Sequence, residues 1–162
     1  MEKFIDLGLP SGTLWADRNF GASSPKDDGV YVEYTKIPKH TPTIEQFKEL
    51  LANCSVSKTN EVFSEWRGRK YLTECDWVLT SKKNGASILI PSAGWKQVGD
   101  PNKHSWRELS ILWTTNPQFV AITQANTAKV VGQGFQVPFG WEGMRVVTAY
   151  PTGWLHNVRR CK

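Results

Sequence analysis

The chain has 162 residues, a net charge of +5 at neutral pH, 40% hydrophobic residues and 22% charged residues. This composition is typical of a globular protein, excludes a disordered chain, and fits one domain with its own core. No apolar run is long enough to span a membrane, and the basic residues are scattered, with small groups at residues 67–70, 82–83 and 159–160. A solvated basic surface or an acidic partner is therefore favoured over a nucleic-acid site, which usually shows a denser basic stripe.

The N-terminal stretch predicts a β-hairpin. Residues 4–7 alternate apolar and polar side chains, and residues 13–16 include Trp15, a large aromatic residue to bury. Residues 8–12 between them contain Gly, Pro and Ser, which is typical of a turn. Because an isolated hairpin is marginal in water, we expect this one to pack against a later part of the chain.

Residues 17–42 are predicted to be rich in loops. Within them, residues 25–29 fit a single helical turn and residues 30–34 alternate as a strand does. Residues 38–42, with a proline at each end, read as an extended linker.

The clearest predicted helix covers residues 43–53. Thr43 followed by Gln46 has the spacing of a capping box. The apolar residues fall on one helical face, which predicts packing against a sheet. They are Ile44, Phe47, Leu50 and Leu51.

Residues 55–76 are polar and give few structural signals. Residues 61–66 fit either a short helix or a strand, and residues 71–73 fit a strand. The next stretch is clearer: residues 76–80 and 86–90 alternate around Asn84-Gly85, the strongest short-range signal for a hairpin turn. Pro91 is expected to stop the second strand.

The second half of the chain predicts more strands separated by long loops. The strands are expected at residues 111–115, 119–123, 129–131 and 144–149. A polar loop ends near residue 109, and residues 133–141 form a loop of Gly, Pro and aromatic residues. Residues 148–162 read as a basic tail added to a domain of residues 1–147. Many short strands with one helix make an α+β pattern.

The chain contains three cysteines and three histidines. Cys54 and Cys75 could pair, leaving Cys161, but an odd number favours reduced thiols over a disulfide framework. The histidines are far apart, lack metal-ligand spacing, and are predicted to be surface or loop residues. They are His40, His104 and His156. We therefore expect no metal, no cofactor and no enzymatic activity.

Five segments in order carry a resemblance to a known family. They are residues 4–25, beginning FIDLGLPSGTLWA, and residues 41–54, 84–94, 112–115 and 143–147. Together they resemble the Fibrobacter succinogenes major paralogous domain family, which occurs in bacteria of the Bacteroides group and their phages. The resemblance implies a C-type-lectin-like fold with short antiparallel strands, one helix at about residues 43–53 and long irregular loops on one face. It also implies that the terminal strands pair, so that the strand near residues 144–147 partners the opening hairpin.

Two features of related proteins do not carry over. Lectins that bind sugar through calcium use a Glu-Pro-Asn or Gln-Pro-Asp triplet, whereas residues 116–118 are Asn-Pro-Gln and residues 109–141 contain no carboxylate. Calcium needs several oxygen ligands including carboxylates, so a calcium-dependent sugar site there is not expected. The reactive cysteine pair of the formylglycine-generating fold is also missing, since Cys161 stands alone late in the chain.

The resemblance places the predicted ligand-binding residues in the displayed loops. Aromatic, Arg and amide side chains of this kind are typical of binding surfaces. The predicted residues are Trp95, Lys96, Trp106, Arg107, Asn116, Gln118, Phe135, Gln136 and Trp141. Trp113 is predicted to belong to the core, whereas Trp95 and Trp106 are expected at the surface.

The leading hypothesis is a non-catalytic binding or adhesion module that holds a protein or glycan ligand. It would sit on a cell surface or a phage particle. The lack of an apolar signal at the N-terminus and the odd number of thiols favour the virion. The alternative is a structural virion protein, for decoration or assembly, that packs against neighbouring subunits, including copies of itself. An enzyme is the third and least favoured hypothesis.

Overall fold

A computed structural model describes residues 1–100, 110–115, 118–122, 144–148 and 154–162. These residues form a mixed α/β architecture with antiparallel sheets, one α-helix and many strands, as predicted. The elements are β1 (Phe4–Asp6), β2 (Leu14–Ala16), α1 (Ile44–Asn53), β3 (Cys54–Trp66), β4 (Arg69–Ser81), β5 (Ser87–Pro91), β6 (Lys96–Gln97), β7 (Ser110–Trp113), β8 (Gln118–Ile122), β9 (Met144–Thr148) and β10 (Trp154–Leu155). The sheets are β1-β2, β3-β4-β5, β7-β8-β9 and β6-β10.

The N-terminal hairpin is confirmed. Strands β1 and β2 are antiparallel, with Phe4 opposite Ala16, and the Gly12 N–H donates to the Leu9 carbonyl across the turn at 2.9 Å. Gly12 has a φ of +75°, a conformation that glycine adopts at little cost. Residues 8–12 therefore form the turn that their Gly, Pro and Ser residues predict.

The partner of this hairpin is the end of the chain. Leu14 and Lys162 exchange backbone hydrogen bonds of 2.7 and 3.0 Å, and Trp15 forms a bridge with Cys161. The expectation that residues 144–147 would fill this place is wrong, since β9 pairs with β8 instead. The two ends of the chain do meet, but through residues 160–162.

Helix α1 begins as predicted. The Thr43 hydroxyl accepts from the Gln46 N–H at 3.1 Å, and the Gln46 side chain accepts from the Thr43 N–H at 2.8 Å. Phe47 and Leu50 are buried, and the Phe47 ring lies 5.0 Å from the Trp15 ring, centroid to centroid. The apolar face of the helix thus packs against the N-terminal hairpin.

The hairpin around Asn84-Gly85 is also confirmed, and it joins the same core. Strands β4 and β5 are antiparallel, with Trp77 opposite Ile90, and both side chains are fully buried. The Ser81 hydroxyl donates to the Leu7 carbonyl at 2.6 Å, which ties this hairpin to the N-terminal one. Strand β5 includes Pro91 as its last residue, a position an edge strand tolerates.

Residues 25–34 differ from the prediction. Residues 25–29 form a turn and a bend rather than a helical turn, and in place of the strand expected at residues 30–34 there is a bridge at Val32, whose backbone exchanges hydrogen bonds with His156. A 3-10 helix follows at Tyr34–Lys36. Two tyrosines connect this stretch to distant parts of the chain through their hydroxyls: that of Tyr31 donates to the Ala93 carbonyl at 2.6 Å and that of Tyr34 to the Thr115 carbonyl at 3.1 Å.

Residues 55–76, for which the sequence left alternatives open, belong to one long hairpin. Strands β3 and β4 each contain 13 residues and pair along their whole length. Residues 61–66 are therefore strand rather than helix, and the strand expected at residues 71–73 is confirmed. Strands β7, β8 and β9 match the other predictions to within two residues at each end, whereas residues 129–131 and 133–141 lie outside the described residues.

The C-terminal residues 154–162, which we call the closing segment, are not an added tail. His156, Asn157, Val158, Arg159 and Cys161 in this segment are each at least 97% buried. The expected separation of a basic tail from the domain is therefore wrong for these residues. Charged and polar side chains suggested a solvated surface, but the fold buries those of His156, Asn157 and Arg159.

All three cysteines are buried in the core and none forms a disulfide, so Cys54 and Cys75 do not pair. Burial raises the pKa of the Cys161 thiol to about 11 and also raises that of Cys54. These thiols are thus poor nucleophiles at neutral pH. Among the described residues, no helix has the length and apolar character needed to cross a membrane.

Candidate functional site

The predicted loop residues with described side chains are Trp95 and Lys96, and neither is freely displayed. Trp95 is 93% buried, so its expected surface position is wrong. Residues 91–94, which directly precede it, are all buried as well. The Lys96 ammonium lies 4.5 Å from the Tyr31 ring centroid, so this cation already interacts within the chain.

The other predicted ligand-binding residues have no described side chain. Gln118 begins β8, where its backbone is opposite Thr148. The remaining six, Trp106, Arg107, Asn116, Phe135, Gln136 and Trp141, lie outside the described residues. The proposed loop face therefore stays a prediction.

His156 is buried rather than exposed, contrary to the prediction. Its ring lies 4.4 Å from that of Trp113, centroid to centroid, and Trp113 is itself fully buried, as predicted. Burial lowers the pKa of His156 to about 3. His156 is thus a neutral core residue at neutral pH. His40 is exposed as expected, and His104 lies outside the described residues.

The feature that the sequence did not predict is the outer part of the β3–β4 hairpin. We call residues 60–74 the arm. Strand β5 supports β4 only from Asp76 to Thr80, so the described chain places no third strand beside the arm. Every residue from 60 to 70 is exposed. From Val62 to Trp66 the strand extends about 14 Å, at the usual rise of about 3.4 Å per residue.

A bulge separates the arm from the sheet. The pairing shifts between Thr59 and Val62 and again between Val62 and Phe63. Asn60 has a φ of 51°, and its side-chain amide donates to the Asp76 carboxylate at 2.8 Å. Bulges bend a strand and re-aim its side chains. The bulge therefore sets the direction of the arm, and the hydrogen bond from Asn60 to Asp76 stabilises the bulge.

The tip of the arm is a two-residue turn. Arg67 and Gly68 have φ values of 50° and 75°, both in the left-handed region. Such turns match the right-handed twist of the strands that they join, although Asn or Asp is usual at the first position. The backbone therefore holds Arg67 at the outermost point of the hairpin, and a Cβ added at Gly68 would meet nothing within 4 Å.

The arm exposes large apolar side chains. Val62 is 49% exposed, Phe63 is 54% exposed and Trp66 is 61% exposed. Phe63 and Trp66 are three residues apart in regularly paired strand, so they lie on opposite faces of the ribbon. The arm therefore presents an aromatic residue on each face.

Cations surround the outer aromatic residue. The Arg67 guanidinium lies 4.5 Å from the Trp66 ring centroid, and Arg69 is directly opposite Trp66 in the ladder. Lys70 is opposite Glu65. Residues 65–70 thus carry three cations and one carboxylate, a net charge of +2. The sequence did show the basic group at residues 67–70, and its place beside Trp66 and Gly68 was the available signal for a displayed turn.

The described residues contain no group of three or more His, Cys, Asp or Glu side chains close enough to hold a metal ion. Comparisons with protein-family models, with curated proteins and with solved structures gave no match for this chain. The chemistry of the site must therefore be argued from its own residues.

Proposed function

We propose that this protein is a non-catalytic binding module of C-type-lectin-like fold, which holds a protein or glycan partner on a cell surface or a phage particle. Support for the fold comes from the meeting of the two chain ends at β2, from the packing of helix α1 on the core, and from the antiparallel sheets. The five segments that resemble the Fibrobacter succinogenes major paralogous domain family are the sequence basis of this proposal.

The single observation that carries the binding function is the contrast between a closed core and an exposed arm. Trp15, Trp77 and Trp113 are fully buried, whereas Trp66 is 61% exposed beside a guanidinium. Trp and Arg are the residues most enriched at the energetic centres of protein interfaces. The other aromatic side chains whose burial the structure describes are buried or partly buried, whereas Trp66 and Phe63 are exposed on a projecting ribbon, and this contrast supports a binding function.

The arm also favours a second function, that of a structural virion protein for decoration or assembly. A ribbon that leaves the body can reach a neighbouring subunit and contribute strands or side chains to it. In this case the neighbours would be copies of this chain or other virion proteins, and the arm would be buried only in the assembly.

Light scattering on two forms of the protein separates these functions. One form is the full chain, and the other replaces residues 63–73 with Asn-Gly, which keeps the Val62–Glu74 pair beside a two-residue turn. A free-standing module predicts a folded monomer in both cases. An oligomer of the full chain that dissociates when the arm is shortened would overturn the module in favour of the assembly protein.

The binding function itself is tested by screening the full chain against a glycan array and against a displayed library of random peptides. We expect saturable binding to at least one of these probes. If the folded monomer binds neither, the proposed function is wrong.

A further inference from the structure

We propose that the arm is the partner-binding element and that it inserts into an acidic cleft of a different protein. This proposal rests on the proposed function, since it assumes a partner, and it goes further by naming the surface and the chemistry of that partner. The cleft would take Phe63 and Trp66 as anchors and pair its carboxylates with Arg67 and Arg69.

The first step is that the body does not hold the arm in place. Beyond the Val62–Glu74 pair the described residues place no third strand beside the ribbon, and residues 60–70 are all exposed. Two-stranded ribbons are marginal in water when they lack a third strand or a packing surface. The exposed apolar area is therefore available to a partner, and binding would stabilise the arm.

The second step is that the partner surface is concave. Phe63 and Trp66 lie on opposite faces of the ribbon, so a flat surface such as a membrane would bury only one of them at a time. A cleft contacts both faces and can bury both rings. The turn at Arg67 and Gly68 can enter the cleft first, because the space around Gly68 is open and a Cβ added there would meet nothing within 4 Å.

The third step is that the partner is acidic. Neither Arg67 nor Arg69 forms an ion pair within the described part of the chain. Guanidinium groups pair with carboxylates through two parallel hydrogen bonds, and such contacts fix the orientation of a partner as well as its affinity. Because the whole chain carries a net charge of +5, a second copy is a poor candidate for this acidic surface.

The exposed carboxylates along the arm make nucleic acid a less favoured partner than a protein. Glu61, Glu65 and Glu74 are exposed along the ribbon behind the basic tip. A ribbon lying in a nucleic-acid groove would bring these carboxylates toward phosphates, which is unfavourable. A protein cleft can place its own acidic groups at the tip and polar groups beside the carboxylates.

The test uses the peptide library to find ligands of the full chain and then measures their affinity by fluorescence anisotropy. We expect the enriched peptides to combine Asp or Glu with apolar residues and to bind more weakly as salt is added. In the variants Trp66→Ser and Arg67→Gln/Arg69→Gln we expect the affinity to fall at least tenfold. The matched control is Lys82→Gln/Lys83→Gln, which removes two exposed charges from another hairpin turn and should change the affinity less than twofold.

Circular dichroism and urea unfolding of each variant establish that it is folded. Peptides that bind the arm variants as well as the full chain would overturn the arm proposal and leave the proposed function intact. Arm-dependent binding of duplex DNA or of phosphatidylserine vesicles, without acidic peptides, would replace the protein cleft with those partners and would also overturn it.

Discussion

The closing segment and the arm both carry arginine, but they use it in opposite ways. Arg159 in the closing segment is fully buried, and its guanidinium donates to the Asn19 side chain at 3.0 Å and to the carbonyls of Ala16 and Leu89 at 3.0 and 2.7 Å. Arg67 in the arm is exposed and lies over Trp66. Arg159 thus joins distant parts of the fold, whereas Arg67 is exposed to solvent.

This difference indicates that the closing segment stabilises the fold and that the arm serves recognition. The closing segment makes contacts that span nearly the whole chain, so its loss affects the N-terminal hairpin, β5 and the core together. The arm contacts mainly itself, so its side chains are free to vary with a partner. We expect substitutions in the first region to change the free energy of unfolding and substitutions in the second to change binding alone.

The largest expected effect comes from deleting residues 160–162. The deletion removes three backbone hydrogen bonds to Leu14 and Ala16, the bond from the Cys161 N–H to the His40 carbonyl, and the buried Cys161 side chain. At roughly 1 kcal/mol for each of these contacts, the free energy of unfolding should fall by about 4 kcal/mol or more. Urea unfolding followed by circular dichroism measures this, and an unchanged midpoint would show that the closing segment does not hold the fold.

The next effect is that of Arg159→Met, which keeps much of the volume but leaves three buried acceptors without their donor. We expect a loss of about 3 kcal/mol in the free energy of unfolding, because buried groups that lose their partners are costly. The matched control is Arg67→Met, which should stay within about 0.5 kcal/mol of the original chain. Equal effects of the two substitutions would contradict the comparison between the regions.

A third effect depends on pH and on His156. Its pKa is about 3 in the folded chain, against 6.5 for an ordinary histidine, so the unfolded chain takes up the proton first as the pH falls. The stabilising contribution is complete above pH 6.5 and is lost toward pH 3, at up to about 1.4 kcal/mol per pH unit. Between pH 6.5 and 4.5 we expect urea unfolding to show a loss of about 2 kcal/mol.

The control for this titration is His156→Gln, which is less stable at neutral pH but has no imidazole to protonate. Its free energy of unfolding should change little over the same pH range. If the variant and the original chain lose stability equally, groups other than His156 cause the dependence.

The smallest effect on stability is expected for Phe63→Ser in the arm. The side chain is 54% exposed, so its removal should change the free energy of unfolding by no more than about 0.5 kcal/mol. Binding of the enriched peptides should nevertheless weaken. A loss of stability of 2 kcal/mol or more would mean that the arm belongs to the core of the fold.

Local signals made some elements predictable from the sequence. The capping residues Thr43 and Gln46 stand three apart, and Asn84-Gly85 has the turn chemistry that a hairpin needs, so both structures follow from neighbouring residues alone. The same applies to the N-terminal hairpin with its Gly-rich turn. In each of these elements, the residues that determine the local structure lie within a few positions of the structure that they form.

The closing segment was not predictable in this way. The hydrogen bond from Arg159 to Asn19 joins residues 140 positions apart, and nothing near Arg159 in the sequence indicates buried acceptors. A basic group near a chain end is usually solvated. Only the folded core shows that it supplies enough acceptors to bury this guanidinium, which stays charged at neutral pH although burial lowers its pKa to about 9.

The arm was missed for a different reason. Strands are recognised by apolar residues that alternate with polar ones, because one face is buried. Residues 60–70 are all exposed, so no buried face imposes an alternation on residues 60–66, and the bulge at Asn60 shifts the register further. Arg67 at the first turn position also replaces the usual Asn or Asp. The proposed site is therefore the part of the fold with the weakest sequence pattern.

Amide hydrogen exchange on the intact chain compares the two regions most directly. The structure predicts that the amides of Leu14, Ala16 and Lys162 exchange only through global unfolding, since their bonds join the chain ends. The amides of residues 63–66 should exchange through local opening, at a much lower free energy. Equal protection of both groups would contradict the separation of a closed core from an available arm.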